Sequence, residues 1–436
     1  MKQRKLFLFA CSIMTLCLMT GCSSANEAGM NGASNEGGGD VPTGNHIDLT
    51  SEEQEMVNST NDFAFQLLAI ENGIEEGRSF AISPLSAGYL LGMLYEGAQG
   101  QTQQEIKQVL GFNDATPVEV SAFFKKILTL SPAIDSKVKL CVANALFGNS
   151  QHQVEFAINY STTMKNSYLA QTQSLDFSNP TALKTINQWC DSHTQGTIPE
   201  IMSQQEFNSD AIAYLLNSVY FKAPWSSAFD KENTREGLFS TISGEQCKVD
   251  MMNQKVMVGY AIDNDLKAIS LPYGDGAYVM AVVMPVNEKE LSIAGLSKKL
   301  TANRWKQTAK TLANNQLVMD VTIPRFQMDS KTDLVKPLQS MGMVKAFSYT
   351  DADFSPMLKK KTDLYISKMI QKNRIDVDED GAEAVSVSEA EMSLGADGEG
   401  DDSNVFKANR PFIYLIFEKA TNAIFFIGEY TGKQSL

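Results

Sequence analysis

Few groups in this chain could start a reaction. His46, His152 and His193 are the only histidines among 436 residues. None stands at a metal-ligand or acid–base spacing from another. No HExxH, GxSxG, Walker or GxGxxG pattern occurs. The glycines of Gly395-Ala396-Asp397-Gly398-Glu399-Gly400 lie among acids, which would repel a phosphate. Carboxylates are plentiful, 51 in all, but no spacing pairs two of them for glycosidase work. The sequence therefore reads as a non-enzyme without a resident metal or cofactor.

One stretch carries chemistry of another kind. Its even-numbered residues are Ala382, Ala384, Ser386, Ser388, Ala390, Met392 and Leu394, all small or apolar. Its odd-numbered residues are Glu383, Val385, Val387, Glu389, Glu391 and Ser393, which include every acid. A two-residue period is that of a strand with one face meant for a core. The two valines favour strand geometry. No proline interrupts 382–410, so every amide there can join a ladder. At about 3.3 Å per residue the segment spans roughly 43 Å. A globule of this size is roughly 50 Å across, so such a strand would cross most of it.

The elements around it alternate helix and strand. Ser51 to Asn72 reads as a helix capped by Ser51, with acids in its first turn. Ser79 to Ser86 is a short strand turning into a helix that stops at Gly97-Ala98-Gln99-Gly100. Lys139 to Phe147 and Ala213 to Lys222 read as strands, and Ala182 to Asp191 as a helix. Tyr278 to Val286 is almost wholly apolar and should be buried on both faces. Pro411 to Phe417 and Ala423 to Tyr430 form a hairpin signal. Helices dominate early and strands late, which is the α+β class.

The N-terminus reads as a targeting segment. Lys2, Arg4 and Lys5 precede a short apolar run, Leu6 to Met19, which ends in Met19-Thr20-Gly21-Cys22. This resembles a bacterial lipobox, implying cleavage before Cys22 and lipidation of Cys22. Ordinary secretory cleavage is the alternative. Residues 22–45 hold almost no large apolar side chain and read as a tether. The domain then runs over 46–436. The expected location is the bacterial cell envelope, lipid-anchored at the outer membrane and facing either side. A net charge of −14 disfavours nucleic acid. Cys141, Cys190 and Cys247 show no metal spacing and read as buried free thiols, with one disulfide as the alternative.

Several separated motifs resemble the serpin family, in the family's order, from about residue 50 to 433. They are Ser83-Pro84-Leu85-Ser86 with Gly97 to Thr102, Asn217 to Trp225 with Phe229, and Ile323-Pro324-Arg325-Phe326. Asp378-Glu379-Asp380-Gly381-Ala382-Glu383-Ala384 is similar to the family's hinge. Arg410-Pro411-Phe412 and Phe426-Ile427-Gly428 are similar to its closing strands. The resemblance implies three β-sheets, about nine helices and an exposed reactive loop near 380–405. It implies an inhibitor whose loop is cut by a target peptidase and then inserts into the main sheet, trapping the acyl-enzyme. The partner would be that peptidase, held by a monomer.

Site residues follow from the resemblance one by one. Ser83, Ser86 and Asn217 match a polar cluster beneath the main sheet, where Gln371 replaces a frequent histidine. Trp225 matches the aromatic where the loop goes in, and Arg325 and Glu379 match a pair that closes that opening. Glu379, Gly381, Ala382 and Ala384 form the hinge. Counting from Gly381 puts the cut near Gly395-Ala396, but the loop is longer than the family pattern. The insertion period ends at Leu394, so the candidates are Met392, Ser393, Leu394, Gly395 and Ala396. With no Lys or Arg between Gly381 and Phe406, trypsin-like targets are disfavoured. Elastase-, chymotrypsin-, subtilisin- and papain-like peptidases fit. A non-inhibitory binding or chaperone-like serpin, and a hydrolytic lipoprotein of another fold, are the competing readings.

Overall fold

Fourteen strands and nine α-helices occur in the described residues, 46–75, 77–112, 114–381 and 404–432 of a computed structural model. The strands are β1 (Phe80–Ile82), β2 (Lys139–Asn149), β3 (Ala170–Leu175), β4 (Ala213–Lys222), β5 (Arg235–Ser240), β6 (Gln246–Ile262), β7 (Leu266–Tyr273), β8 (Tyr278–Pro285), β9 (Gln316–Pro324), β10 (Phe326–Asp333), β11 (Lys368–Val377), β12 (Val405–Lys407), β13 (Phe412–Glu418) and β14 (Ile424–Tyr430). The first six helices are α1 (Ser51–Ile74), α2 (Pro84–Gly97), α3 (Gly100–Leu110), α4 (Pro117–Leu130), α5 (Ile158–Tyr168) and α6 (Thr181–His193). None of the described helices is long and apolar enough to cross a membrane.

The main sheet has five strands in the order β10-β11-β4-β2-β3. Its two faces are covered differently. Leu215, Val219 and Phe221 of β4 join the large core under the sheet. Tyr214 and Leu216 of the same strand join a second cluster, with Ile186, Trp189 and Cys190 of α6, on the other face. A strand buried on both sides loses the apolar–polar alternation, which is why β4 is an almost continuous apolar run.

The remaining nine strands make one hydrogen-bonded sheet, so the described residues show two sheets where three were expected. The reason is the length of β6, 17 residues. Its first part pairs with β5, its middle with β9, and its end with β7. A quartet β12-β9-β6-β5 thus runs without a break into the buried strands β7, β8, β13, β14 and β1. Strands β8, β13 and β14 are buried throughout.

Two local expectations are corrected. Thr50, not Ser51, caps α1, because Thr50 has Glu53 three residues on and forms the reciprocal capping box. The three cysteines are free thiols, but only Cys190 is buried; Cys141 and Cys247 are half-buried. Burial pushes the Cys190 thiol up to about 11, so it is a poor nucleophile.

Candidate functional site: the hinge and the central seam

Strand β11 ends at Val377 and the chain turns over Trp225. Trp225 is buried and stacks on Tyr273 with ring centroids 4.2 Å apart. Its indole Nε1–H donates to Asp378 O at 2.7 Å and its backbone N–H to Asp380 O at 3.1 Å. The Phe229 N–H donates to Glu379 O at 2.8 Å. The three residues Asp378, Glu379 and Asp380 beyond β11 are therefore tied down by the segment that follows β4.

The hinge carries three consecutive acids. The Glu379 side chain is almost fully buried and accepts from Thr234 Oγ1 at 2.7 Å. Arg325 Nη1 lies 3.5 Å from the same carboxylate oxygen. The other Arg325 amine bonds Asp250. Lys231 pairs with Asp380. Asp378 is raised above the ordinary carboxyl range by burial, with Asp380 and Glu379 adding to the effect.

Next to the hinge lies the seam between β4 and β11. Strands β4 and β11 pair directly and in parallel, Tyr214 to Phe221 against Lys368 to Ile375. Gln371 sits opposite Asn217 in that register. Its amide donates to Asn217 Oδ1 at 3.1 Å and to Ser83 O at 2.9 Å, and its Oε1 accepts from the Ser83 N–H at 2.8 Å. Asn217 donates onward to Asn144 Oδ1 on β2 at 2.8 Å, and Asn373 donates to Gln371 Oε1 at 3.0 Å. This buried line of amides crosses the seam from β2 to β11. None of its side chains titrates, so the line holds across the ordinary pH range.

A parallel central pair with a tethered loop at its end matches one family in particular. The family described as Serpin (serine protease inhibitor) covers residues 58–432. The chain belongs to the serpin family. The leukocyte elastase inhibitor of Xenopus tropicalis is 31% identical over 396 residues, 87% of this chain and 100% of that one. The native structure of tengpin, a thermophilic serpin, matches with a TM-score of 0.77 at 26% identity, over 90% of this chain and 97% of that one. A complex of thyroxine-binding globulin with thyroxine matches with a TM-score of 0.76 at 25% identity, over 87% and 100%.

The serpin fold brings Ser83, Asn217 and Gln371 together under the seam, and Trp225, Arg325 and Glu379 around the hinge. Ser86 is buried in the first turn of α2, outside the amide line. Ala382, Ala384, Met392, Ser393, Leu394, Gly395, Ala396 and Cys22 lie outside the described residues. Sequence reasoning missed Thr234, Lys231, Asp250, Asn144 and Asn373. Asn144 had a signal, a lone amide within an apolar strand. The others are exposed or reach across the fold, and no local pattern marks them.

Gly381 has φ +93°, and a Cβ there would lie 2.2 Å from Trp225 N and 2.6 Å from Ala223 O. Both are backbone atoms and cannot swing aside. Gly381→Ala should therefore destabilise the intact serpin by roughly 2–4 kcal/mol, from clash and backbone strain. Thermal unfolding of the variant should show a Tm lower by about 2–5 °C. An unchanged Tm would mean that the hinge does not need this close approach.

Proposed function

We propose that this serpin inhibits peptidases as a suicide substrate. The nucleophile of the peptidase attacks a carbonyl carbon between Met392 and Ala396. The amine leaves on the C-terminal segment, which stays in the fold through β12, β13 and β14. The acyl-enzyme ester or thioester remains on the N-terminal side of the loop. That freed stretch, from Ala382 onward, then folds back from the hinge and enters between β4 and β11. The peptidase is carried with it, its active site is distorted, and water cannot complete hydrolysis.

The carrying observation is the parallel pairing of β4 and β11 beside the hinge. A segment that reverses direction at Gly381 runs antiparallel to β11, and hence to β4 as well. One parallel ladder becomes two antiparallel ones, which pair slightly better per residue. The alternation from Ala382 to Leu394 supports the same reading, since the small even set can face the core. The lack of Lys and Arg supports elastase-, chymotrypsin-, subtilisin- or papain-like targets. Mass spectrometry of the C-terminal peptide after reaction with an elastase-like peptidase should place the cut between Met392 and Ala396. A cut before Ser386 would leave too little strand to insert and would sink the trapping mechanism.

The N-terminal motif supports a lipid anchor at Cys22 on the bacterial envelope, presenting a monomeric inhibitor. Cys22→Ser should move the protein from the membrane fraction to the soluble fraction after cell lysis. Retention in the membrane fraction would point to another means of attachment.

A further inference from the structure

The contacts on the hinge come from two sides of the seam. Arg325 directly precedes Phe326, which pairs with Val377 of β11. Arg325 therefore lies on the β10–β11 side of the seam, and its backbone N–H and side chain are also held by Asp250 of β6. Trp225, Phe229, Lys231 and Thr234 all follow β4 in the chain. A new strand needs about 4.8 Å of extra room between β4 and β11. The Arg325–Glu379 contact can survive that movement, whereas every contact from the β4 side must break.

Most of those β4-side contacts are short hydrogen bonds to the backbone or a hydroxyl. One is between full charges. Lys231 lies in the short turn Lys231–Asn233 and is about two-thirds exposed, and its ammonium pairs with Asp380. The Lys231 ammonium is favoured by Asp380 first, then by Asp378 and Glu379, so it faces the whole acidic triplet. Among the described residues, Lys231 and Arg325 are the two cations paired with this acidic turn, and they reach it from opposite sides.

Resting on the suicide-substrate reading, we propose that Lys231 is a positioning residue for inhibition: an electrostatic clasp across the seam that sets how fast the sheet opens. The Lys231 side of the pair is exposed, so its effect is modest and is screened by salt. Exposed pairs of this kind correspond to about a two- to five-fold change in an equilibrium or rate. The screening length falls from about 10 Å at 0.1 M salt to about 3 Å at 1 M. The clasp thus makes opening sensitive to ionic strength.

The test is uptake of a synthetic peptide of residues 382–394 by the intact, uncut protein, followed by fluorescence of a label on the peptide. At low salt, Lys231→Met should take up peptide about two- to five-fold faster than wild type. At 1 M salt the two rates should converge. The charge swap Lys231→Asp with Asp380→Lys should restore the slow wild-type rate, which a merely structural role for either residue would not do. Equal rates for wild type and Lys231→Met at low salt, or no rescue by the swap, would overturn the clasp. Wild type taking up no peptide at all would overturn the insertion reading itself, and the clasp with it.

Discussion

Ala384→Arg should turn this serpin from an inhibitor into a substrate. Ala384 belongs to the even-numbered set, which faces the core once the loop lies between β4 and β11. On that face β11 presents Gln371, Asn373 and Ile375, and β4 presents Asn217, Val219 and Phe221, all buried. No carboxylate is among these six to accept a guanidinium. Burying an unpaired charge costs several kcal/mol. Even ~3 kcal/mol added to the insertion barrier slows insertion by about 100-fold. Deacylation by water is unaffected, so the acyl-enzyme is hydrolysed before it is trapped. The ratio of hydrolysed to trapped acyl-enzyme should rise about 100-fold, while the first cleavage keeps its rate.

A control on the other face separates geometry from bulk. Glu383 is odd-numbered and should face outward. The outward residues at that end of the seam include Arg374, Asp376 and Lys222, which are only half-buried, beside the buried Tyr220. Glu383→Arg should therefore inhibit within a few-fold of wild type. Equal loss in both variants would mean that the two-residue period does not decide which face is buried.

The second large effect is on stability. Cutting the loop in the absence of a trapped peptidase should raise the Tm by roughly 7–20 °C. An inserted strand bonds to neighbours on both sides, whereas the uncut sheet has one ladder there. About a dozen hydrogen bonds gained, at ~0.5–1.5 kcal/mol each, give roughly 6–18 kcal/mol. Each kcal/mol is about 2–4 °C in a protein of 150–250 residues and somewhat less in a larger one. A cut loop that stayed outside the sheet would leave the Tm unchanged or lower it. That outcome would favour a serpin that binds rather than traps.

The elements legible in the sequence were those with strong local pattern. Helix α1, strands β4 and β8 and the β13–β14 hairpin fall where apolar spacing put them. The cap of α1 was misplaced by one residue because Thr50 and Ser51 both carry hydroxyls, and only the partner at Glu53 decides between them. The merging of sheets was not legible, since β6 pairs with three different strands along its length and pairing is a non-local choice. The hinge contacts were hidden for the same reason. Lys231 and Asp380 are 149 positions apart, and Arg325 and Asp250 are 75 apart. What the sequence did carry was the motif order and the alternation after Gly381, because both are local.

The most direct measurement is a denaturing gel of the protein mixed with an elastase-like serine peptidase. The account predicts a band that survives boiling in detergent. Its mass should equal that of the peptidase plus the inhibitor's N-terminal part up to the cut bond, with peptidase activity lost in step. Complete cleavage of the loop with no such band and full peptidase activity would contradict it.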